Sequence, residues 1–130
     1  MAAIKILMAD DEPAVLEIMA RRIADSGFDV IKASNGLEAW EKIQKENPDI
    51  VLLDLTMPQM DGYSVLSKLR SSPPSKKWIP VIIISATGEM QNIQNVLNLQ
   101  ADHYLMKPCK LEDIIKAIQV MMALIPLRNP

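Results

Sequence analysis

Acidic, hydroxyl and basic side chains follow short apolar runs at four places in the chain. Asp10-Asp11-Glu12 follows the first run, Asp54 ends the third, Ser85 ends the fourth, and Lys107 follows the fifth. Clustered carboxylates repel one another unless protons or a cation offset the repulsion. Carboxylate oxygens suit Mg²⁺, whereas a hydroxyl and an ammonium suit phosphoryl oxygens. An aspartate in such a group can act as a nucleophile and form an aspartyl phosphate.

Each of these side chains also has a purely structural explanation. Asp11 or Glu12, just before Pro13, could stabilise a helix N-terminus. Lys107 alone could be solvated, and Ser85 alone could bond to local backbone. We favour a common binding site over separate structural roles, because all of these residues fall beyond the carboxyl ends of the strands, where ligands of open α/β sheets bind. We therefore interpret them as one site.

The elements that must position these residues are readable from hydrophobic periodicity. Predicted strands are Ile4–Ala9, Val30–Ala33, Ile50–Leu53, Val81–Ile84 and Tyr104–Met106. Stretches with helical spacing separate them, with apolar stripes at Val15, Met19 and Ile23, at Ala39, Trp40 and Ile43, and from Leu111 to Ile125. Alternation of this kind predicts an α/β fold with a doubly wound, five-stranded parallel sheet and five helices.

Composition limits the class of protein. The 130 residues, 49% of them apolar, predict a single domain over 1–130, with a core of about 4–124 and a tail or truncated linker at 126–130. A net charge of −2 argues against direct nucleic-acid binding. One cysteine, Cys109, and one histidine, His103, exclude an internal disulfide and a zinc site built from them. No membrane span or signal segment is predicted, so we expect a cytoplasmic protein.

Together the motifs resemble the receiver domain of two-component response regulators, of the chemotaxis-regulator type. The resemblance runs from about Ile4 to Leu124. It is carried by Asp10-Asp11-Glu12, by the block Asp54–Gly62, by Ser85-Ala86 and by Tyr104–Pro108. It implies a flavodoxin-like, three-layer α/β/α fold. It also implies a phosphoacceptor in phosphorelay signal transduction that catalyses only its own phosphorylation and dephosphorylation.

The same resemblance assigns the phosphoacceptor and the metal ligands. Asp54 would accept a phosphoryl group from the phosphohistidine of a histidine kinase or a histidine phosphotransfer protein. Asp11, Asp54 and the backbone carbonyl of Thr56 would hold Mg²⁺, with Asp10 acting largely through bound water.

The resemblance further implies a switch. Lys107 would contact the phosphoryl group, and the Lys107–Pro108 bond would be cis. Ser85 and Tyr104 would move together on phosphorylation and alter a surface of the fourth helix, fifth strand and fifth helix, which would bind a downstream protein or output domain. The simpler explanation of Tyr104 is a strand aromatic with its hydroxyl in water.

Three other functions compete with this hypothesis. A phosphatase of the haloacid-dehalogenase type would carry a second aspartate where Thr56 stands. A flavodoxin-like cofactor binder would need a phosphate-binding loop where Asp10-Asp11-Glu12 would repel phosphate. A phosphorylation-independent, receiver-like interaction module would typically lack Asp54 or Lys107, and both are present.

The chain departs from the receiver pattern at positions outside the site, among them Cys109, Gln100 and the Pro73-Pro74 loop. Cys109 stands where the family usually has a large apolar residue, and we expect a small buried thiol there. The loop at Pro73-Pro74 is longer than usual, and Trp78 is expected to anchor it.

Overall fold

The computed structural model describes residues 3–86 and 90–129, in which five parallel strands alternate with five helices. The strands are β1 (Lys5–Ala9), β2 (Asp29–Ala33), β3 (Ile50–Leu53), β4 (Val81–Ser85) and β5 (His103–Met106). The helices are α1 (Pro13–Asp25), α2 (Gly36–Glu46), α3 (Gly62–Ser71), α4 (Met90–Asn98) and α5 (Leu111–Arg128). The predicted strands are therefore confirmed to within one residue at each end.

The sheet has the order β2-β1-β3-β4-β5, with every pair parallel. The inner strands β3 and β4 are buried along their whole length, as is β1 beyond Lys5, which accounts for their unbroken apolar runs. The edge strands β2 and β5 are only partly buried. The doubly wound fold predicted from the sequence is confirmed. Successive strands are added toward one edge of the sheet up to β2 and toward the other edge from β3 on, and ligands of such folds bind at this switch between β1 and β3.

Helices cover both faces of the sheet and enclose two apolar clusters. Helices α1 and α5 pack on one face, and α2, α3 and α4 on the other. In α1 the predicted stripe is confirmed at Ile23, but Leu16 and Ala20 are buried where Val15 and Met19 were expected, and these two are half-buried. Val15 and Met19 instead line an open cavity that α5 and the sheet also border.

Polar side chains fix where two helices of the second face begin. Asn35 caps α2, its side-chain oxygen accepting a bond from the Glu38 N–H at 2.8 Å. Asp61 caps α3 through a 2.9 Å bond from the Ser64 N–H. Each satisfies an N–H that a helix start leaves unpaired. The loops before α2 and α3 are thereby fixed against the helix ends.

Helix α5 ends later than the sequence suggested, since residues 126–128 are helical rather than a tail. The side chain of Asn129 accepts a bond from the Trp78 N–H at 2.7 Å and donates one to the Trp78 carbonyl at 2.9 Å. The Arg128 guanidinium lies 3.9 Å from the centroid of the Trp78 ring. Trp78 thus anchors its loop, as expected, and holds the end of α5. Neither α5 nor another helix of the described residues is long and apolar enough to cross a membrane.

Candidate functional site

The predicted site residues meet at the carboxyl end of the sheet. Asp10, Asp54 and Lys107 each come directly after the last residue of a strand. The Asp54 N–H donates to the Ala9 carbonyl at 3.1 Å, and the Lys107 N–H donates to the Ser85 carbonyl at 2.8 Å. Because these bonds continue the sheet ladder by one residue, the rigid strands fix the backbone from which each side chain projects.

The site also holds the buried polar residues of the fold. Among the described residues, the polar or charged ones that are buried are Asp10 (2% exposed), Asp54 (6%) and Ser85 (1%). Burial of a charged group without a partner is costly, so such residues are rare unless they are paired. Their concentration at one end of one sheet is what the sequence analysis predicted for a shared site.

Lys107 joins the two buried carboxylates. Its ammonium nitrogen lies 2.7 Å from Oδ2 of Asp10 and 3.0 Å from Oδ2 of Asp54, and 3.9 Å from Oε1 of Glu12. The alternative that Lys107 is merely a solvated surface side chain is therefore wrong. The direct Asp10–Lys107 pair was missed in the sequence analysis, in which Asp10 was expected to act largely through bound water.

The remaining oxygens of the two carboxylates accept backbone hydrogen bonds. Asp10 Oδ1 accepts from the Glu12 N–H at 2.9 Å, and Asp54 Oδ1 accepts from the Thr56 N–H at 3.1 Å. Glu12 occupies the cap position of α1 but makes no side-chain capping bond. The Glu12 side chain therefore does not cap α1 through a hydrogen bond. The backbone bonds hold both aspartates in fixed orientations.

Three carboxylates could together hold a cation. Asp10, Asp11 and Asp54 each offer an oxygen within 4.8 Å of the other two, and Asp11 is exposed. Hard oxygen donors of this kind, some buried and one open to water, fit Mg²⁺, which keeps part of its water shell. The residues present therefore fit the metal that the receiver resemblance implied.

Burial and charge shift the pKa values of the two central groups. Burial raises the pKa of Asp54, and the negative charge of Asp10 adds to that rise, while Lys107 and the Thr56 N–H oppose it. Burial by itself would lower the pKa of Lys107, but its bonds with Asp10 and Asp54 raise it to about 12. Lys107 is therefore charged at neutral pH, and two carboxylates share one ammonium.

An open cleft of about 510 Å³ lies over these groups. Its walls include Asp11, Thr56, Ser85 and Lys107, with Asp54 among them. Acidic, hydroxyl and ammonium groups thus all reach the same solvent-accessible space. A small oxyanion in this cleft would meet the hydroxyl and the ammonium, and a cation would meet the carboxylates.

Tyr104 lies on the same face of the sheet as Ser85. Tyr104 is half-buried, pairs with Ile83 across β4 and β5, and packs against the apolar cluster of the second face. Because side chains alternate along a strand, Ser85 projects to the same face as Ile83 and hence as Tyr104. The Lys107–Pro108 bond is cis, as expected.

The chain is similar to known proteins in both sequence and structure. The family model described as the response regulator receiver domain matches residues 6–119. The chain belongs to this family. The receiver domain of a Francisella response regulator is similar in structure, with a TM-score of 0.81 and 32% identity over 90% of this chain and 94% of that one. A CheY-like receiver domain protein from Methanospirillum hungatei gives a TM-score of 0.89 at 26% identity, covering 98% of this chain and 100% of that one.

Longer regulators are similar over the same region. The probable transcriptional regulator ycf27 of Pyropia yezoensis is 40% identical over 80% of this chain and 41% of its own length. The alkaline phosphatase synthesis transcriptional regulatory protein PhoP of Bacillus subtilis is 36% identical over 88% of this chain and 44% of its own length. The chain thus spans about two fifths of the length of these regulators. The family match makes it a receiver domain of two-component signalling rather than a classical enzyme.

Proposed function

We propose that Asp54 is the phosphoacceptor of this receiver domain. The observation that carries the proposal is the position of Asp54, a buried carboxylate at a strand end, in an open cleft and 3.0 Å from the ammonium of Lys107. An aspartate held in this way is oriented for attack, and the ammonium can compensate charge on an incoming phosphoryl group. A phosphorylation-independent interaction module is not favoured, because such a module needs neither group.

The transfer would take a phosphoryl group from a phosphohistidine of a histidine kinase or histidine phosphotransfer protein. A carboxylate oxygen of Asp54 attacks phosphorus, and the phosphorus–nitrogen bond of the phosphohistidine breaks. The imidazole nitrogen keeps the electron pair of that bond and takes up a proton from solvent. Lys107 would donate hydrogen bonds to the phosphoryl oxygens during the transfer, since its ammonium, with three N–H donors, is held beside Asp54.

Asp11, Asp54 and the Thr56 carbonyl would hold Mg²⁺, with Asp10 beside them. When bound, the ion would neutralise charge on the phosphoryl oxygens and offset the repulsion between the carboxylates. Asp10 is already paired with Lys107 at 2.7 Å. Its proposed part is therefore to hold Lys107 in place and to contribute charge at the edge of the cation site.

Phosphorylation would act on a distant surface through Ser85 and Tyr104. Phosphate on Asp54 adds negative charge and acceptor oxygens, which would draw the Ser85 hydroxyl and the Lys107 ammonium toward it. Tyr104 would follow Ser85 and alter the face formed by α4, β5 and α5. Exposed apolar side chains on that face suit a downstream protein or an output domain, namely Leu97, Met106 and Val120. We place this signalling in the cytoplasm.

Intact-protein mass after incubation with acetyl phosphate tests the proposal. Wild type is expected to gain one phosphoryl group in the presence of Mg²⁺ and Asp54→Asn none. Asp61→Asn is the matched control, since Asp61 is an exposed acid of the same loop that lies outside the carboxylate cluster and asparagine also caps helices. Equal labelling of Asp54→Asn and wild type would overturn the assignment.

A further inference from the structure

The first turn of α2 lies directly against the loop that joins β3 to α3, residues 54–61. The Leu37 N–H donates to the Gln59 carbonyl at 2.8 Å, and the Gly36 N–H donates to the Pro58 carbonyl at 3.4 Å. A helix leaves its first N–H groups without partners inside the helix. In α2, two of these N–H groups donate to carbonyls of the β3–α3 loop. The loop is therefore hydrogen-bonded to a rigid helix that is not part of it.

This close approach requires the glycine at position 36. A Cβ added to Gly36 would lie 1.6 Å from the Met60 carbonyl oxygen and 2.5 Å from its carbonyl carbon. Both are backbone atoms, so no side-chain rotation can relieve the overlap. A larger residue at position 36 must push either α2 or the loop away from the other.

The loop itself is strained and depends on such support. Gln59 and Met60 have φ angles of 52° and 92°, in the left-handed region that residues with side chains rarely adopt. Conformations of this kind persist only where surrounding structure holds them. Here the support is the two bonds from α2 and the packing of the half-buried Met60 side chain against the apolar cluster.

The other end of the loop is held equally closely. The Gly62 N–H donates to the Leu55 carbonyl at 2.9 Å, and a Cβ on Gly62 would lie 2.2 Å from the Asp54 carbonyl oxygen. Thr56 lies between these two points of support, and its N–H bonds the Asp54 carboxylate at 3.1 Å. A shift of the loop therefore moves Thr56 and the orientation of Asp54 together.

We propose that Gly36 is a positioning residue for the cation site, acting through the close contact of α2 with the β3–α3 loop. The inference rests on the proposed function, in which Asp54 and the Thr56 carbonyl bind Mg²⁺. Neither Gly36 nor α2 touches the cation site. Their effect is to set where the loop presents its ligands, as groups around a metal's direct ligands do elsewhere.

The test is Mg²⁺ binding by isothermal titration calorimetry, with Gly27→Ala as the matched control. Gly27 also needs glycine, because its φ is 103°, but a Cβ there would meet no atom within 4 Å. Both variants are strained, and only Gly36→Ala displaces the loop. We expect Gly36→Ala to raise the Mg²⁺ dissociation constant about tenfold and Gly27→Ala to leave it within about twofold of wild type.

A metal-free measurement accompanies the titration. Hydrogen exchange at the Leu37 amide is expected to accelerate in Gly36→Ala and to stay as in wild type in Gly27→Ala, because only the first change disturbs the bond to Gln59. If Gly36→Ala does not fold, Leu37→Pro breaks the same bond without adding an atom at position 36. It replaces the N–H with a ring carbon that faces the Gln59 carbonyl, and proline is tolerated in a first helical turn. Leu37→Ala, which keeps the N–H, is its control.

The outcomes separate the two levels of the proposal. Weaker Mg²⁺ binding in Gly36→Ala or Leu37→Pro, with their controls near wild type, supports the inference. Equal affinities in wild type and these variants overturn the inference and leave the proposed function standing. If wild type itself binds no Mg²⁺, the proposed cation site is wrong and the inference falls with it.

Discussion

The ammonium nitrogen of Lys107 lies 3.0 Å from Oδ2 of Asp54, although the two residues are 53 positions apart in the chain. The same nitrogen is 2.7 Å from Oδ2 of Asp10. One cation therefore balances two buried carboxylates. A phosphoryl group on Asp54 would replace one of these contacts with a bond to phosphoryl oxygen, so Lys107 can sense phosphorylation without a large movement.

Removal of Lys107 should destabilise the fold by leaving its carboxylates unpaired. Breaking a buried ion pair by removing one partner costs about 3 kcal/mol, so Lys107→Ala should lower the free energy of unfolding by that order at pH 7. Urea denaturation measures this, and added Mg²⁺ should restore much of the loss, since it would replace the missing positive charge.

The control for this variant is Lys110→Ala. Lys110 is 78% exposed and lies 4.0 Å from Glu112, so its loss should change the free energy of unfolding by less than about 0.5 kcal/mol. A Lys107→Ala protein as stable as wild type without Mg²⁺ would contradict the pairing of Lys107 with Asp10 and Asp54.

The raised pKa of Lys107 predicts a loss of stability at alkaline pH. Its value of about 12 in the folded protein exceeds the ordinary 10.5. The protonated amine therefore stabilises the folded state. This stabilisation is complete below the ordinary pKa of 10.5 and disappears as the pH rises through the folded-state pKa of about 12. The total is on the order of 2 kcal/mol.

The measurement is urea denaturation of wild type and Lys107→Met between pH 9 and pH 12 (a range set by the ordinary and raised pKa values of Lys107). Subtracting the variant removes the titration of other groups, so the difference between the two proteins should shrink as pH rises. A constant difference across that range would mean that Lys107 does not favour its charged form in the folded state.

A second ion pair should be structural rather than functional. The Arg70 guanidinium lies 2.8 Å from Oδ2 of Asp102 and donates to the Ile79 carbonyl at 2.8 Å. Arg70→Met should lower the free energy of unfolding by about 3 kcal/mol and leave phosphorylation of Asp54 unchanged. Chemical denaturation and acetyl phosphate labelling measure the two effects.

Arg21→Met is the comparison for the Arg70 variant. The Arg21 side chain is 72% exposed and lies 3.5 Å from Glu17, so its removal should cost less than about 0.5 kcal/mol. Similar losses for both arginine variants would contradict the view that burial gives the Arg70 pair its strength.

The fold, and the residues that form the candidate site, could be predicted because both follow from short sequence patterns. Unbroken apolar runs mark the buried strands, and a site residue comes directly at or after a strand end in four cases. Since parallel strands bring their carboxyl ends together, Asp54, Ser85 and Lys107 had to meet once the strands were known.

What could not be predicted depends on contacts between distant segments. The Asp10–Lys107 pair joins residues 97 positions apart, and the close approach of Gly36 to Met60 depends on how α2 packs beside a loop. The end of α5 at Arg128 is followed by bonds between Asn129 and Trp78, which are 51 positions apart. A glycine at a helix start is a weak signal by itself, because turns and caps use glycine equally.

The most direct test of the account is to locate the phosphoryl group in the chain. Wild type would be incubated with acetyl phosphate and Mg²⁺, and borohydride would then reduce the acyl phosphate to an alcohol that marks the modified aspartate for tandem mass spectrometry. The mark is expected at Asp54 alone. A mark at Asp10 or Asp11 instead, or none while Mg²⁺ is bound, would contradict the assignment of Asp54 as phosphoacceptor.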